Sequence, residues 1–341
     1  MKSKEVTNLE IKKVSHARRQ SIKLDQDSWV EISHLEPEQK LPLVIKPTLE
    51  GLNLLSWVQT NKDFIKQNLS RFGGILWRNF GFREAEELEQ IIKELQGELL
   101  EYVYGSTPRS HVKGKIYTST EYPSHQKIPL HNEMAYCPQY PHFIAFLCQQ
   151  SATVGGETPI ADSRKILKGI DPQIVAKFEE KQIMYVRNYG DELDLSWRNV
   201  FQTTNKLEVE DYCRHSGIEF EWKSGDRLRT RQVCPAVVTH PQTGVKVWFN
   251  QAHLFHISNL EPKVQELLLT EYSLEELPRN AYYGDGSPIE SWVLKEIRQN
   301  YQQETVIFPW QSGDILLLDN MLTAHGRMPY LGQRKILVGM A

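Results

Sequence analysis

From residue 128 onward the chain is punctuated by short runs in which most residues are apolar: FIAFLC at 143–148, AVVTH at 236–240, VKVWFN at 245–250, ILLLDN at 315–320 and KILVGMA at 335–341. Gly, Pro and Asn stand between them. Runs of this length are short for helices, and the most uniformly apolar of them want strands covered on both sides. The chain therefore has to build packed sheets. THPQTGVKVWFN reads as a hairpin with Pro-Gln-Thr-Gly at its turn. Before residue 128, LNLLSWVQTNKDFIKQNLSRF and EAEELEQIIKELQGELL carry apolar residues at three- and four-residue spacing, as amphipathic helices do, with GGILWRNFGF as a buried strand between them. Helices return as inserts at DSRKILKGIDPQIVAKFEEKQ, PKVQELLLTEYSLEELP and SPIESWVLKEIRQNY, the last with Ser287 as cap and Pro288 in the first turn. The expected fold class is α+β, a jelly roll buttressed by helices. It is expected to form one domain over 1–341, with residues 1–45 as an N-terminal arm.

Composition narrows the partners. Forty basic residues against 43 acidic ones leave a formal charge of -3 with the cations scattered, so neither a nucleic-acid footprint nor a basic membrane patch is indicated. The expected partner is a small molecule or a protein. Four cysteines without a C-x-x-C spacing point to no disulfide framework and no structural zinc. The opening MKSKEVTNLEIKK lacks the apolar core of a secretory signal, and no run is long enough to span a bilayer, so the expected location is cytoplasmic.

IPLHNEMAYCPQYP, at 128–141, sets His131 and Glu133 two apart. On a strand, residues two apart share a face about 7 Å from one another, which would aim an imidazole and a carboxylate at one point. A third ligand is offered by His325, just past the apolar strand in GDILLLDNMLTAHGRMPYLGQRKILVGMA. Two histidines and one carboxylate suit non-haem Fe(II) with open coordination positions. A chelating co-substrate such as 2-oxoglutarate would present a second carboxylate to a cation, for which the planar fork of an arginine is well shaped. Arg334, nine residues past His325 across a turn, is expected on a hairpin strand beside it. Arg327 competes for that role. Against all this stands a plainer reading, with His325 a satisfied core histidine and the two arginines surface charges.

TSTEYPSHQKIPLHNEMAY, GGETPIADSR, VWFNQAHLFH and LLDNMLTAHGRMPYLGQRKILV, four separated blocks in order, resemble the Fe(II)/2-oxoglutarate-dependent dioxygenases of the taurine dioxygenase and clavaminate synthase superfamily, most closely the syringomycin-biosynthesis type of amino-acid hydroxylase. The resemblance implies a double-stranded β-helix with a helical insert between the metal-binding strands. It implies His131, Glu133 and His325 as iron ligands, Thr158 and Arg334 as the 2-oxoglutarate pair, and O2 as the second co-substrate. Because relatives that halogenate replace the acidic ligand by Gly or Ala, Glu133 implies hydroxylation, with desaturation or cyclisation as the alternative. The implied substrate is an amino acid or a derivative of one, free or on a carrier protein, in specialised-metabolite biosynthesis.

Substrate contacts are expected from Arg109, Arg229, Asn250 and Gln251, with exposed ion pairs and ordinary strand alternation as the plainer explanations. Asn132 or Asp319 is expected to orient the ligands. His253 and His256 read as helix or loop histidines rather than a second metal site. Two rivals remain, a mononuclear zinc hydrolase on the same three ligands and a non-catalytic jelly-roll binding protein.

Overall fold

In the computed structural model, which describes residues 29–101, 104–105, 109–120, 122–190 and 195–341, the run ILLLD becomes the strand Ile315–Asp319 with every residue buried. It lies inside an eight-stranded sheet in the order Val30–Glu36, Gln39–Pro47, Gly74–Trp77, Ile315–Asp319, Phe143–Gln150, Lys335–Met340, Ile116–Thr118, His111–Lys113. Alternate residues explain why these strands are apolar throughout. Leu316, Leu318, Phe146, Cys148, Ile336 and Val338 enter one core cluster, whereas Ile315, Leu317, Ala145, Leu147 and Leu337 enter another. Each face is thus buried against a different layer.

The second cluster is closed by the helices Leu54–Thr60, Lys62–Phe72 and Ala85–Gln96. The first pattern divides at Asn61, whose φ of −119° leaves the helical region. Ala85–Gln96 starts at a reciprocal pair of bonds between Glu84 and Glu87 and ends at Gly97 with φ +85°. Residues 1–28 of the expected arm lie outside the described residues; Val30–Glu36 and Gln39–Pro47 form an antiparallel hairpin on the edge of the main sheet.

The other cluster contains Leu130, Ile160, Ala161 and Ala324 of a small sheet, ordered Ile128–His131, Thr323–Arg327, Ile160–Asp162. The main and small sheets are the two walls of the jelly roll. The segment between residues 133 and 325 carries the helices Ser163–Gly169, Pro172–Lys181, Pro262–Glu271 and Ser291–Gln303. It also carries a four-stranded antiparallel sheet, Glu219–Lys223, Arg227–Cys234, Ile183–Tyr189, Arg279–Tyr283, whose mixed sequences gave no clear period. The hairpin forms as expected, Val237–Thr239 with Lys246–Trp248.

Two expectations need correction. Ser287 does not cap the last helix, which starts at Ser291 behind Glu290; Ser287 instead donates its backbone N–H to Asp285, and Pro288 bridges to Tyr282. Arg334 is not on a hairpin strand beside Thr323–Arg327 either. The chain pairs Tyr330–Leu331 with Val154–Gly155 and then crosses into the main sheet, so the two strands belong to different walls.

Arg78 joins the helical layer to this core. Its guanidinium makes two bonds to Asp314, at 3.0 and 2.7 Å, and a third to Pro309 O at 2.9 Å, while the Asp314 side chain is fully buried. Removing one partner of a buried pair leaves a charge without compensation. Arg78→Met should therefore lower unfolding free energy by about 3 to 5 kcal/mol, read as a lower urea midpoint at unchanged slope. A loss under about 1 kcal/mol, the range of exposed pairs, would show that water replaces the guanidinium.

Candidate metal centre

His325 lies in the middle strand of the small sheet, directly opposite His131 on one side and Ile160 on the other. Pairing across two ladders fixes it to both neighbours. Next along is Gly326, where a Cβ would stand 2.6 Å from Ile128 O; only a glycine lets the ligand strands approach there. The imidazoles of His131 and His325 lie 4.6 Å apart, centroid to centroid. Glu133 Oε2 is 3.6 Å from His325 Nε2, and one ligand atom from each of the three residues falls within 4.8 Å of the others. No other such cluster occurs among the described residues.

The strand geometry expected for His131 and Glu133 is half right. The strand ends at His131, and Glu133 stands in the turn beyond it. What aims it is Asn320, whose side-chain oxygen accepts from Glu133 N at 2.7 Å and whose amide donates to Glu133 O at 2.9 Å and Pro141 O at 2.8 Å. Asn132 donates to Asn320 O and Ser163 Oγ, closing the link from the other side. Asp319, the other candidate for ligand orientation, accepts from Met321 N and Leu322 N and pairs with His240 at 2.9 Å, shaping the turn before the His325 strand. Sequence reasoning passed over Asn320 because one Asn at a strand end looks like any other turn former.

The donors carry the protonation a cation requires. His131 Nδ1 donates to Pro129 O at 2.9 Å, leaving Nε2 with a free lone pair. Burial, followed by His325, pushes His131 down to about 4. Burial alone would raise Glu133, but Arg109 and the two histidines outweigh it and hold the carboxyl well below the usual carboxylate range. A neutral His131 imidazole and a Glu133 carboxylate therefore face His325 at neutral pH, and two imidazoles with one carboxylate are the donor types that Fe(II) takes.

Beside the cluster lies a cationic flank. The bonds Gly326 N to Pro159 O and Met328 N to Glu157 O extend the small sheet past Ile160. Thr158 therefore sits two residues along from the position facing His325, about 7 Å away on the same face. Its hydroxyl meets Trp310 Nε1 at 3.1 Å. Arg334 donates from Nε to Gly156 O at 2.8 Å and from Nη1 to Ser119 at 3.2 Å. Burial, then Arg327, pushes Arg334 down to about 10. Gly156 permits this approach, since a Cβ would stand 3.0 Å from Arg334 Cδ. Arg327 is differently committed. It donates to three carbonyls, Tyr122 O, Pro123 O and Gln126 O, and so secures the 122–126 loop.

Of the four expected substrate contacts, Arg109 reaches the cluster, with Nη2 2.7 Å from Glu133 Oε2. Arg229 does not. It bonds Asn188 at 2.8 Å and faces Glu221 and Glu275 on the insert sheet, while its neighbours in register, Arg187 and Thr230, turn to the opposite face. Asn250 spends its amide on Ala236 O and its oxygen on Ala252 N, and Gln251 Nε2 donates to Asn132 O. Both brace backbone. Missed in the sequence was Arg187, buried under the rings of Tyr104, Tyr136 and Tyr189 at 5.2, 5.7 and 4.8 Å. His256 bonds Ser258 and His253 donates from Nε2 to Leu130 O at 2.9 Å, stacked on Tyr301.

The model of the taurine catabolism dioxygenase TauD, TfdA family matches residues 38–341. The chain belongs to the TauD/TfdA dioxygenase family. It is 43% identical over 276 residues to the dapdiamide synthesis protein DdaC of Enterobacter agglomerans, covering 81% of this chain and 84% of that one. It is 30% identical over 315 residues to a clavaminate synthase-like protein of Arabidopsis thaliana, covering 89% and 91%. Among solved structures it shares the fold of PvcB from Pseudomonas aeruginosa, with TM-score 0.55 at 17% identity and 93% of each chain covered. With the family goes the chemistry of an Fe(II)- and 2-oxoglutarate-dependent oxygenase.

Two outcomes follow. Asn320→Ala should weaken metal binding by about 10- to 100-fold, measured by anaerobic titration, with the fold retained by circular dichroism; unchanged affinity would remove Asn320 from the site's support. His253 is held neutral by burial, pushed down to about 3 from an ordinary 6.5. The unfolded chain takes up that proton from pH 6.5 downward while the folded one does not until about 3. Stability is thus fully present above 6.5 and lost on acidification, by up to about 1.4 kcal/mol per pH unit. His253→Gln should flatten that part of the stability profile; identical profiles would contradict it.

Proposed function

We propose that this oxygenase hydroxylates an unactivated C–H bond of an amino acid or amino-acid derivative, free or presented on a carrier protein, in specialised-metabolite biosynthesis. The observation that carries the residue assignment is the convergence of His131, Glu133 and His325 within 4.8 Å, with the cationic flank on the adjoining strand extension. His131, Glu133 and His325 would hold Fe(II), and Thr158 and Arg334 the distal carboxylate of 2-oxoglutarate. Support for Arg334 over Arg327 comes from their partners: Arg327 is engaged with three loop carbonyls, whereas Arg334 Nη2 meets no acceptor among the described residues. The metabolic setting is supported by the dapdiamide synthesis protein and by PvcB, described as an Fe, α-ketoglutarate-dependent oxygenase from an isonitrile synthetic pathway.

When bound, iron would supply the anchoring of the keto acid and the oxidising power for the C–H bond. The chain supplies the rest. Asn320 and Pro129 O orient Glu133 and His131, the jelly-roll walls keep the three side chains away from bulk water, and Arg109, bonded to Glu133, would meet a substrate carboxylate. The overall balance is substrate, 2-oxoglutarate and O2 giving hydroxylated substrate, succinate and CO2. As an iron ligand Glu133 would take the position that a halide would need, which favours oxygen insertion.

The test is a succinate-release screen over free and carrier-bound amino acids, with product mass measured. A gain of one oxygen supports hydroxylation; a loss of two hydrogens replaces it with desaturation or cyclisation; no succinate with any amino-acid-derived substrate overturns the proposal. In 2-oxoglutarate binding, Arg334→Met should cost at least about tenfold, the scale of a lost charge-assisted hydrogen bond. Arg327→Met should leave that affinity within about twofold, within the range of changes away from a contact. The reverse pattern would exchange the two roles.

A further inference from the structure

Thr158 has one hydrogen-bond partner among the described residues, the indole N–H of Trp310 at 3.1 Å, and both side chains are buried. An indole nitrogen donates and never accepts, whereas a hydroxyl has one hydrogen to give and two lone pairs to receive. Trp310 therefore occupies a lone pair of Thr158 and turns the hydroxyl hydrogen away from itself. From this we infer that Trp310 is a positioning residue that sets the polarity of Thr158, presenting its hydroxyl to the site as a donor and so selecting a ligand whose end is an acceptor. The inference rests on the reading of Thr158 as a 2-oxoglutarate contact. It goes beyond it by naming what makes a threonine, otherwise ambivalent, discriminate for a carboxylate.

The surroundings hold both partners still. Pro309 O, before the indole, is bonded by Arg78, and Gln311 N, after it, is bonded by Asp314 at 2.8 Å. Asp314 is itself paired with Arg78. Phe308 packs edge-on against the Trp310 ring with centroids 5.8 Å apart. On the other side the flanking carbonyls of Thr158, Pro159 O and Glu157 O, are tied to the strand that carries His325. A donor fixed this way also polarises the hydroxyl it meets, strengthening the bond that the hydroxyl gives onward. Arg334, 2.8 Å from Gly156 O, adds the charge, while Trp310 and Thr158 add the direction.

The experiment is a double-mutant cycle on 2-oxoglutarate affinity. Calorimetry on the anaerobic Fe(II)-loaded protein compares wild type, Trp310→Phe, Thr158→Val and the double variant, with the 5-amide of 2-oxoglutarate as second ligand. Thr158→Val should weaken 2-oxoglutarate by about tenfold and Trp310→Phe by about three- to tenfold, hydrogen-bond-sized losses. Trp310→Phe should also narrow the preference for the carboxylate over the amide. In the Thr158→Val background the Trp310 substitution should add nothing, since the group it orients is gone. In turnover the loss should fall on KM for 2-oxoglutarate with kcat nearly unchanged. An equal loss in both backgrounds would reduce Trp310 to packing and overturn the inference. Loss from Thr158→Val with none from Trp310→Phe would overturn it while leaving the co-substrate reading intact. No loss from Thr158→Val would sink that reading itself, and the inference with it. Should Trp310→Phe fail to fold, the indole N–H proton of Trp310 in ¹⁵N-labelled protein still decides. Thr158→Val should shift it upfield by removing its acceptor, and an unmoved resonance overturns the proposal.

Discussion

The site depends on the register of one strand. Thr323–Arg327 is paired on both sides, so His325 is placed opposite His131 and Ile160 by backbone hydrogen bonds rather than by side-chain packing. The same ladder carries the chain past Ile160 to Thr158. A slip of one residue would turn His325 to the other face of the sheet. Gly326 guards against that, because the neighbouring strand runs where any side chain would stand. The two histidines of the candidate metal centre and the Thr158 flank thus inherit their spacing from a three-stranded sheet.

Polar groups so deeply buried are costly unless paired, and the chain meets that cost with backbone-directed amides. Asn320 takes both backbone groups of Glu133, Gln251 takes Asn132 O, and His253 takes Leu130 O. These bonds tie the turn after His131 to the segments around it. Asn250 and Gln251, expected as substrate contacts, likewise spend their side chains on backbone. Arg78 and Asp314 do for the Trp310 segment what Asn320 does for Glu133.

Much of this was legible from residues alone. The fully apolar runs announced strands with two buried faces, and alternate residues of 315–318 and 143–148 indeed enter two different cores. His131, Glu133 and His325 could be named as a candidate facial set before any coordinates, and their side chains do converge within 4.8 Å. Less legible was everything decided by long-range partners. The 183–189 and 227–234 strands mix charged and apolar residues because Arg187 and Arg229 face opposite ways, one under tyrosines and one toward carboxylates, and no local period encodes that. The Arg334 approach could not be found from hairpin reasoning because Tyr330–Leu331 first pairs with Val154–Gly155 and changes sheet. Ser287 and Pro288 carry a cap signature, yet Asp285 competes for the Ser287 N–H and delays the helix.

The central claim is that two histidines from neighbouring strands of one small sheet and a glutamate from the turn after the first of them form a single iron site. It is tested most directly by a crystal grown anaerobically with Fe(II) and measured at the iron absorption edge. The account predicts one strong anomalous peak at about 2.0 to 2.2 Å, the usual range for such ligands, from His131 Nε2, His325 Nε2 and a Glu133 carboxylate oxygen. A peak elsewhere in the chain, or one at this site lacking any of the three donors, would contradict it.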